Sequence, residues 1–311
     1  MNIVFLDAST VGEVPNLESL KELGDVTFYD VTAPEETAER IRGADIAITN
    51  KVVFTRELMQ NAEQLKLICI AATGMNNVDR EAAKDLGIKV KNVAGYASVS
   101  VAQTTFAMIL KLLQNLAAYD NYIKSGEYSR SPIFTNMHQN YHEISGMRFG
   151  IIGLGNIGQK VADIAESFGA EVVYYSTSGK NTGQPYERLE LNDLLETSDI
   201  VSIHAPLNEN TENLIGADQL SLMKPSALLI NTGRGGIVNE ADLAHALDKE
   251  AIGGAALDVF ENEPIKPDNP LLSINNKDRI VLTPHIAWAS VEARTQLIEG
   301  VKENIETFID A

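Results

Sequence analysis

Three side chains suited to acid–base chemistry follow strand-like segments in the C-terminal half of the chain. Arg234 stands in "INTGRGGIV", Glu263 in "LDVFENEP" and His285 in "LTPHIAWAS". A guanidinium holds a carboxylate by two parallel hydrogen bonds. A histidine backed by a carboxylate transfers protons, because the carboxylate fixes its tautomer and stabilises the imidazolium. These are the groups that reduction of a 2-keto acid requires, and they predict a site for that chemistry.

The sequence also allows other interpretations of these residues. An arginine in a turn commonly forms a surface ion pair, but Arg234 lies between Gly233 and Gly235, and we interpret it as functional. Glu261 and Glu263 compete as the carboxylate partner of the histidine, and their spacing alone does not choose between them. The other histidines have no carboxylate partner visible in the sequence, and we interpret them as structural or solvated: His138, His142, His204 and His245.

Short apolar runs alternate with amphipathic segments along most of the chain. Up to residue 93 the predicted strands are "NIVFLD", "VTFY", "DIAIT", "LKLICI" and "IKVKNV", and a helix starts at Thr32 or Ala33 with Pro34 in its first turn. One long apolar helix is predicted from Val99 to about Lys124. Five further strands follow residue 170. The pattern predicts two parallel α/β domains, with ligands at the carboxyl ends of the strands.

A glycine-rich segment, "GIIGLGNIGQKVA", lies at mid-chain between a strand pattern and a helix pattern. Gly153 suits the tight turn, Gly155 close approach of a pyrophosphate, and Gly158 close packing of helix and strand. The amides of Asn156 and Ile157 would hold the anion. The segment therefore predicts a dinucleotide-binding loop.

The next strand ends in "VVYYSTSGKN", where a dinucleotide-binding fold usually has an acidic residue for the adenosine ribose. Ser176 stands at that place, followed by Thr177, Ser178 and Lys180. Without a carboxylate nothing repels a 2′-phosphate, and hydroxyls with a lysine can bind one. This stretch contains no arginine, the better bidentate partner. The predicted cofactor is NAD(H) or NADP(H), and we favour NADP(H).

Composition excludes several classes of partner. The formal net charge of −18 opposes binding to nucleic acid or to an anionic membrane, and no apolar stretch is long enough to span a bilayer. Cys69 is the only cysteine, so we predict a buried apolar role for it, no disulfide and no thiolate metal site. No metal is expected in the reaction, and the expected location is the cytoplasm.

The motifs "GLGNIG", "NTGRGG", "DVFENEP" and "TPHIAWAS", in this order and spacing, resemble the D-isomer-specific 2-hydroxyacid dehydrogenases over essentially the whole chain. The resemblance implies a Rossmann cofactor domain, 99–285, inserted into a flavodoxin-like substrate domain formed by 1–98 and 286–311. It also implies a homodimer formed through the cofactor domain, with the helix at Val99 as the dimer-forming element. "SVAQTTFAMIL", "SPIF" and Trp288 look most like the glycerate dehydrogenase, or hydroxypyruvate reductase, type.

The resemblance assigns roles to individual residues. Arg234 becomes the substrate-binding arginine, His285 the acid/base and Glu263, in place of Glu261, its partner. Asp258 would hold the nicotinamide amide, and the backbone amides of Thr73 and Gly74 would hold the substrate carboxylate. Further predicted contacts are Thr232, Gly233 and Pro206 with the cofactor and Trp288 with the substrate, although Trp288 also suits ordinary packing.

The sequence is compatible with two functions. The first is an NAD(P)-dependent dehydrogenase that reduces a small 2-keto acid, hydroxypyruvate or glyoxylate first, to the D-2-hydroxy acid. The second is a non-catalytic, nucleotide-sensing regulator built on the same fold, similar to the family's corepressor relatives. The joint presence of Arg234, Glu263 and His285 favours the enzyme.

Overall fold

The structure, a computed structural model, describes residues 1–137 and 140–311, and His138 lies outside them. The chain divides into two compact units, Met1–Ala97 with Trp288–Ala311, and Ser98–Ala287. These boundaries lie one or two residues from those expected at 98 and 286. Over the described ranges, no helix is long and apolar enough to cross a membrane.

The regular elements alternate along the chain. The strands are β1 (Asn2–Phe5), β2 (Asp25–Phe28), β3 (Ile46–Thr49), β4 (Leu67–Ile70), β5 (Lys89–Asn92), β6 (Arg148–Ile152), β7 (Glu171–Tyr175), β8 (Glu187–Arg188), β9 (Ile200–Ile203), β10 (Leu228–Asn231), β11 (Gly254–Leu257) and β12 (Ile280–Leu282). The α-helices are α1 (Pro34–Ile41), α2 (Arg56–Gln60), α3 (Arg80–Asp85), α4 (Ser98–Gln114), α5 (Leu116–Lys124), α6 (Asn156–Ser167), α7 (Leu191–Thr197), α8 (Ala217–Leu222), α9 (Glu240–Asp248) and α10 (Val291–Ile309). Short 3-10 turns connect several of them.

The first unit is a five-stranded parallel sheet in the order β2-β1-β3-β4-β5. Its inner strands β3 and β4 are buried throughout, as parallel strands covered on both faces must be. The C-terminal helix α10 packs on β4 and β5 and buries Leu297, Ile298 and Val301. Cys69 on β4 is fully buried, and burial raises the pKa of its thiol to about 12, so it behaves as the predicted apolar residue.

The second unit is a seven-stranded parallel sheet in the order β12-β11-β10-β9-β6-β7-β8. The prediction of two parallel-sheet α/β domains is therefore confirmed. The chain adds β7 on one side of β6 and β9 on the other, so the strand order reverses between β6 and β9. Ligands bind outside the carboxyl ends of the strands at such a reversal.

The predicted helix from Val99 to Lys124 is wrong in one respect. Two helices, α4 and α5, occupy this stretch, and Asn115 separates them with a left-handed φ of 52°. Asparagine tolerates this conformation better than most residues because its side chain is short and polar. Its Nδ2 also donates to the carbonyl of Asn140, 25 residues further along the chain. The apolar pattern runs through the break, and so it predicted a single helix.

Candidate active site

The glycine loop after β6 has the shape that its sequence predicted. Gly153 has a φ of 93°, and a Cβ there would lie 2.9 Å from the Ala205 backbone. A Cβ on Gly158 would lie 2.3 Å from the Gly153 carbonyl, so helix and strand can pack this closely only with glycine. At Gly155, the N-cap of α6, a Cβ would meet nothing within 4 Å. The space beside the first amides of α6 is open, as a bound pyrophosphate requires.

The residues that follow β7 form a closed turn, 176–181, which we name the ribose turn. Ser176 is 5% exposed, and its hydroxyl accepts a 3.3 Å hydrogen bond from the Asn181 amide. The Asn181 side chain donates to the Leu154 carbonyl in the glycine loop at 2.6 Å, and the Tyr174 hydroxyl donates to the Asn181 carbonyl at 3.1 Å. Asn181, which was not among the residues predicted from the sequence, thus ties the ribose turn to the glycine loop.

The charged groups of the ribose turn come from two segments. Lys180 is exposed, and Thr177 is half-buried. The short edge strand β8, which was not predicted from the sequence, brings Arg188 to the turn, where its Nη1 donates to the Gly179 carbonyl at 3.4 Å. A two-residue strand has no hydrophobic period, so only its pairing with β7 reveals this arginine.

Arg234 lies in a turn that two glycines pack against neighbouring strand ends. A Cβ on Gly233 would lie 3.1 Å from the Ala205 carbonyl, and one on Gly235 would lie 1.8 Å from the Phe260 carbonyl. Inside the turn, the Asn231 side chain accepts from the Gly233 amide at 3.0 Å and donates to the Arg234 carbonyl at 2.9 Å. The half-buried guanidinium donates through Nη1 to the Gly233 carbonyl at 2.8 Å. One of its five donors is used there.

His285 and Glu263 meet directly. The Nδ1 atom of His285 lies 2.7 Å from Oε2 of Glu263, and the two side chains are 24% and 34% exposed. The other oxygen of Glu263 accepts the Phe260 amide at 3.1 Å, which fixes the carboxylate. Glu261 exchanges backbone-to-carboxylate hydrogen bonds with Glu240 instead. Because Nδ1 lies on the carboxylate, a proton-transfer role would fall to the other ring nitrogen, Nε2.

Asp258 clamps the segment that carries His285. Its carboxylate accepts hydrogen bonds from the Thr283 hydroxyl at 2.5 Å and from the amides of Ile286 and Ala287 at 2.9 and 2.8 Å. Its carbonyl accepts the His285 amide at 2.7 Å, and His285 adopts a φ of 55°. Burial raises the pKa of Asp258, although these hydrogen bonds oppose the shift. We refer to Asp258, Glu263 and His285 as the acid–base cluster.

A chain of hydroxyl groups connects His204 to Thr232. Nε2 of His204 lies 2.9 Å from the Ser202 hydroxyl, and Nδ1 lies 3.3 Å from that of Thr232. Thr105 donates to the Val101 carbonyl and lies 3.1 Å from the Thr232 hydroxyl. Thr232 therefore donates to Thr105 and accepts from Nδ1–H. Burial lowers the pKa of His204 to about 3, so the ring is neutral and structural.

The remaining predicted residues differ in their surroundings. Pro206 is exposed, and its carbonyl accepts the Thr211 hydroxyl at 2.7 Å. His142 and His245 are exposed. In the first unit, Thr73 and Gly74 follow β4, and Thr73 donates from its hydroxyl to the Val93 carbonyl at 3.2 Å. Trp288 packs edge-on against Tyr96, with ring centroids 6.3 Å apart.

The fold and these motifs define an oxidoreductase class, and comparisons with known proteins identify it. Residues 106–287 match the family model described as "D-isomer specific 2-hydroxyacid dehydrogenase, NAD binding domain". The glycerate dehydrogenase of Methylorubrum extorquens is 38% identical over 99% of this chain and 96% of its own. The hydroxypyruvate reductase of Blautia hydrogenotrophica is 34% identical over 99% and 97%.

Solved structures agree with these matches. An acyclic imino acid reductase in complex with NADPH and D-Arg superposes with a TM-score of 0.88 at 32% identity, covering 100% of this chain and 97% of that one. The NADPH-dependent glyoxylate/hydroxypyruvate reductase of Sinorhizobium meliloti, in complex with NADP and malonate, gives 0.83 at 28%, covering 99% and 93%.

This chain belongs to the D-isomer specific 2-hydroxyacid dehydrogenase family, as its motifs indicated. It is an NAD(P)-dependent oxidoreductase, a 2-hydroxyacid dehydrogenase. The enzyme, the first of the two functions considered from the sequence, is the one that the comparisons support.

Proposed function

We propose that this enzyme reduces hydroxypyruvate to D-glycerate or glyoxylate to glycolate, with His285 as the acid, Glu263 as its partner and Arg234 as the carboxylate ligand. The observation that carries the proposal is the 2.7 Å contact between Nδ1 of His285 and Glu263. A carboxylate on Nδ1 stabilises the imidazolium and directs Nε2 to the substrate. The names of the glycerate dehydrogenase and hydroxypyruvate reductase relatives support the choice of substrate.

In the proposed mechanism each residue acts on a different part of the keto acid. Arg234 binds the carboxylate with its remaining donors, so the carbonyl carbon is held in one orientation. His285 donates a proton from Nε2 to the carbonyl oxygen, and Glu263 stabilises the charge of the ring before that transfer. A bound nicotinamide coenzyme supplies the hydride. In the reverse direction His285 accepts the hydroxyl proton.

The second unit is proposed as the cofactor domain. The open space at Gly155 and the first amides of α6 fit a pyrophosphate, and this fit supports a dinucleotide there. We propose cofactor contacts for the glycine loop, the ribose turn and the nearby strand ends: Gly153, Gly155, Asn156, Ile157, Gly158, Ser176, Thr177, Lys180, Pro206, Thr232, Gly233 and Asp258. Thr232 would act through its backbone, because its hydroxyl is committed to Thr105 and His204.

The first unit is proposed as the substrate domain. Thr73 and Gly74 follow a buried strand of a parallel sheet, which is where such sheets bind ligands. We propose that their amides bind the substrate carboxylate and that Trp288 contacts the substrate.

NADP(H) is the proposed cofactor. The absence of an acid at Ser176 removes the repulsion of a 2′-phosphate, and two similar solved structures are complexes with NADPH or NADP. Strict use of NAD(H) would contradict this part of the proposal and leave the chemistry unaffected.

A homodimer through the second unit is also proposed. Apolar side chains between residues 116 and 141 are unusually exposed, among them Leu116 (59%), Ile133 (61%), Phe134 (86%) and Met137 (78%). Exposed apolar groups in one segment are typical of a protein interface. The molar mass measured by light scattering would be twice 33.8 kDa for the dimer.

The function is tested by following NAD(P)H absorbance with a panel of 2-keto acids and both coenzymes. We expect hydroxypyruvate and glyoxylate to have the highest kcat/KM, with pyruvate and larger keto acids below them. A larger keto acid as the best substrate would replace the proposed substrate and keep the reaction. No oxidation of either coenzyme with any keto acid would overturn the proposed function.

A further inference from the structure

Arg188 lies next to the ribose turn because of strand pairing. In the register of β7 with β8, Arg188 stands opposite Tyr174, two residues before Ser176. Both side chains reach the same turn: the Tyr174 hydroxyl donates to the Asn181 carbonyl at 3.1 Å, and Arg188 donates to the Gly179 carbonyl at 3.4 Å. The guanidinium is therefore at the carboxyl end of β7, on the side where this sheet binds its ligands.

The charge of Arg188 is not neutralised by the protein. Within residues 1–137 and 140–311 it forms no ion pair, whereas Arg148, on β6 of the same sheet, pairs with Glu171 on β7 at 2.6 Å. Arg188 is exposed, and its single hydrogen bond to Gly179 is long. Four of its five donors remain for another acceptor.

The ribose turn supplies further hydrogen-bond donors that favour an anion. The amides of Thr177 and Ser178 have no acceptor in the described part of the chain, and the Lys180 side chain is exposed beside them. Successive amides in a turn form a concave site for an anion. A guanidinium, an ammonium and two turn amides together suit a phosphate group.

We propose that Arg188 is a specificity-determining residue that binds the 2′-phosphate of NADP(H) over the ribose turn. The inference rests on the proposed NADP(H) preference and names the residue that produces it. An arginine provides a planar pair of donors for a phosphate, which Lys180 cannot provide as a point charge. Asn181 has a positioning role, because its contact with Leu154 holds the turn beside the glycine loop.

The test measures binding of two coenzyme fragments by calorimetry, 2′,5′-ADP and 5′-AMP, which differ by the 2′-phosphate. For Arg188→Gln we expect the Kd of 2′,5′-ADP to rise about tenfold, within the range for loss of a charge-assisted hydrogen bond, and that of 5′-AMP to stay the same. The Kd of 2′,5′-ADP for Arg188→Lys should lie between those for Arg188→Gln and the wild-type protein. Arg80→Gln is the matched control, because it removes the same charge from an exposed position in the first unit.

The outcomes separate this inference from the proposed function. If Arg188→Gln weakens the binding of both fragments equally, or of neither, Arg188 does not bind the 2′-phosphate. If the wild-type protein binds both fragments equally, the NADP(H) preference and the inference fail together. Keto-acid reduction by the wild-type enzyme, measured separately, stands or falls independently of either result.

Discussion

The acid–base cluster and the ribose turn are both built at the carboxyl ends of strands in one sheet, but they are held in different ways. In the acid–base cluster, backbone amides fix both carboxylates, that of Glu263 from its own segment and that of Asp258 from the segment after β12, and Asp258 is 1% exposed. In the ribose turn, the Asn181 side chain and one long arginine contact hold a loop in which Lys180 is exposed and Ser176 is buried. The residues proposed for the chemistry are thus held by hydrogen bonds to the backbone, whereas Lys180 and Arg188, proposed to contact the coenzyme, are exposed, where substitutions cost little stability.

The largest effect is expected at the centre of the cluster. His285→Asn removes the proposed acid and keeps a polar side chain, so turnover should fall about 10²- to 10⁴-fold, the usual contribution of a general acid. Coenzyme affinity, measured by fluorescence titration, should change little. Turnover near that of the wild-type enzyme would exclude His285 as the acid.

Arg234→Lys tests whether the carboxylate ligand needs its planar geometry. Lysine keeps the charge but loses the paired donors, and one charge-assisted hydrogen bond contributes about 1.5–3 kcal/mol, so kcat/KM for the keto acid should fall about ten- to a hundredfold. An aldehyde substrate without a carboxylate is the control and should lose much less. An equal loss with the aldehyde would contradict the carboxylate role.

The contrast between the two regions also explains what could be predicted. The glycine loop and the segments of Glu263 and His285 have distinctive residue types, so the sequence indicated both, but only the family resemblance chose Glu263 over Glu261, and the clamp formed by Asp258 was not predicted. The parallel strands followed from apolar runs. Asn115, Asn181 and Arg188 were missed because a left-handed residue, a side-chain bridge and a two-residue strand leave no periodic pattern.

Asp258→Asn tests the hydrogen bonds by which Asp258 holds the segment of His285. The amide keeps the shape of the carboxylate but turns an NH₂ group towards the donors of Thr283, Ile286 or Ala287, so part of this network is lost. We expect unfolding to become easier by about 1.5–3 kcal/mol and turnover to fall about tenfold, because His285 is less well positioned. Asp30→Asn, at an exposed position, is the control for urea unfolding. Unchanged stability and turnover would show that the clamp is dispensable.

Ser176→Asp tests the ribose turn. A carboxylate here repels a 2′-phosphate by about 1 kcal/mol at about 4 Å in a water-like medium, which corresponds to about a fivefold swing in coenzyme preference towards NADH. The measurement is kcat/KM for NADPH and NADH in both proteins. A wild-type enzyme that already prefers NADH by orders of magnitude would show that the hydroxyl groups of the turn suffice for the ribose diol.

The smallest effect is expected at His204, which lies between the two regions in the sequence and has no role in the proposed reaction or coenzyme contacts. The pKa of His204 is about 3 in the folded state, below the ordinary value of 6.5. As the pH falls through 6.5, His204 therefore becomes protonated in the unfolded chain but stays neutral in the folded chain. Stability is therefore lost progressively between these values, and from about pH 7.5 to about pH 6 the loss amounts to about 0.8 kcal/mol.

His204→Gln should remove that part of the pH dependence, whereas His245→Gln, at an exposed histidine, should not. Urea unfolding of the three proteins at both pH values measures it, and an identical loss in wild type and His204→Gln would mean that His204 is protonated in the folded protein.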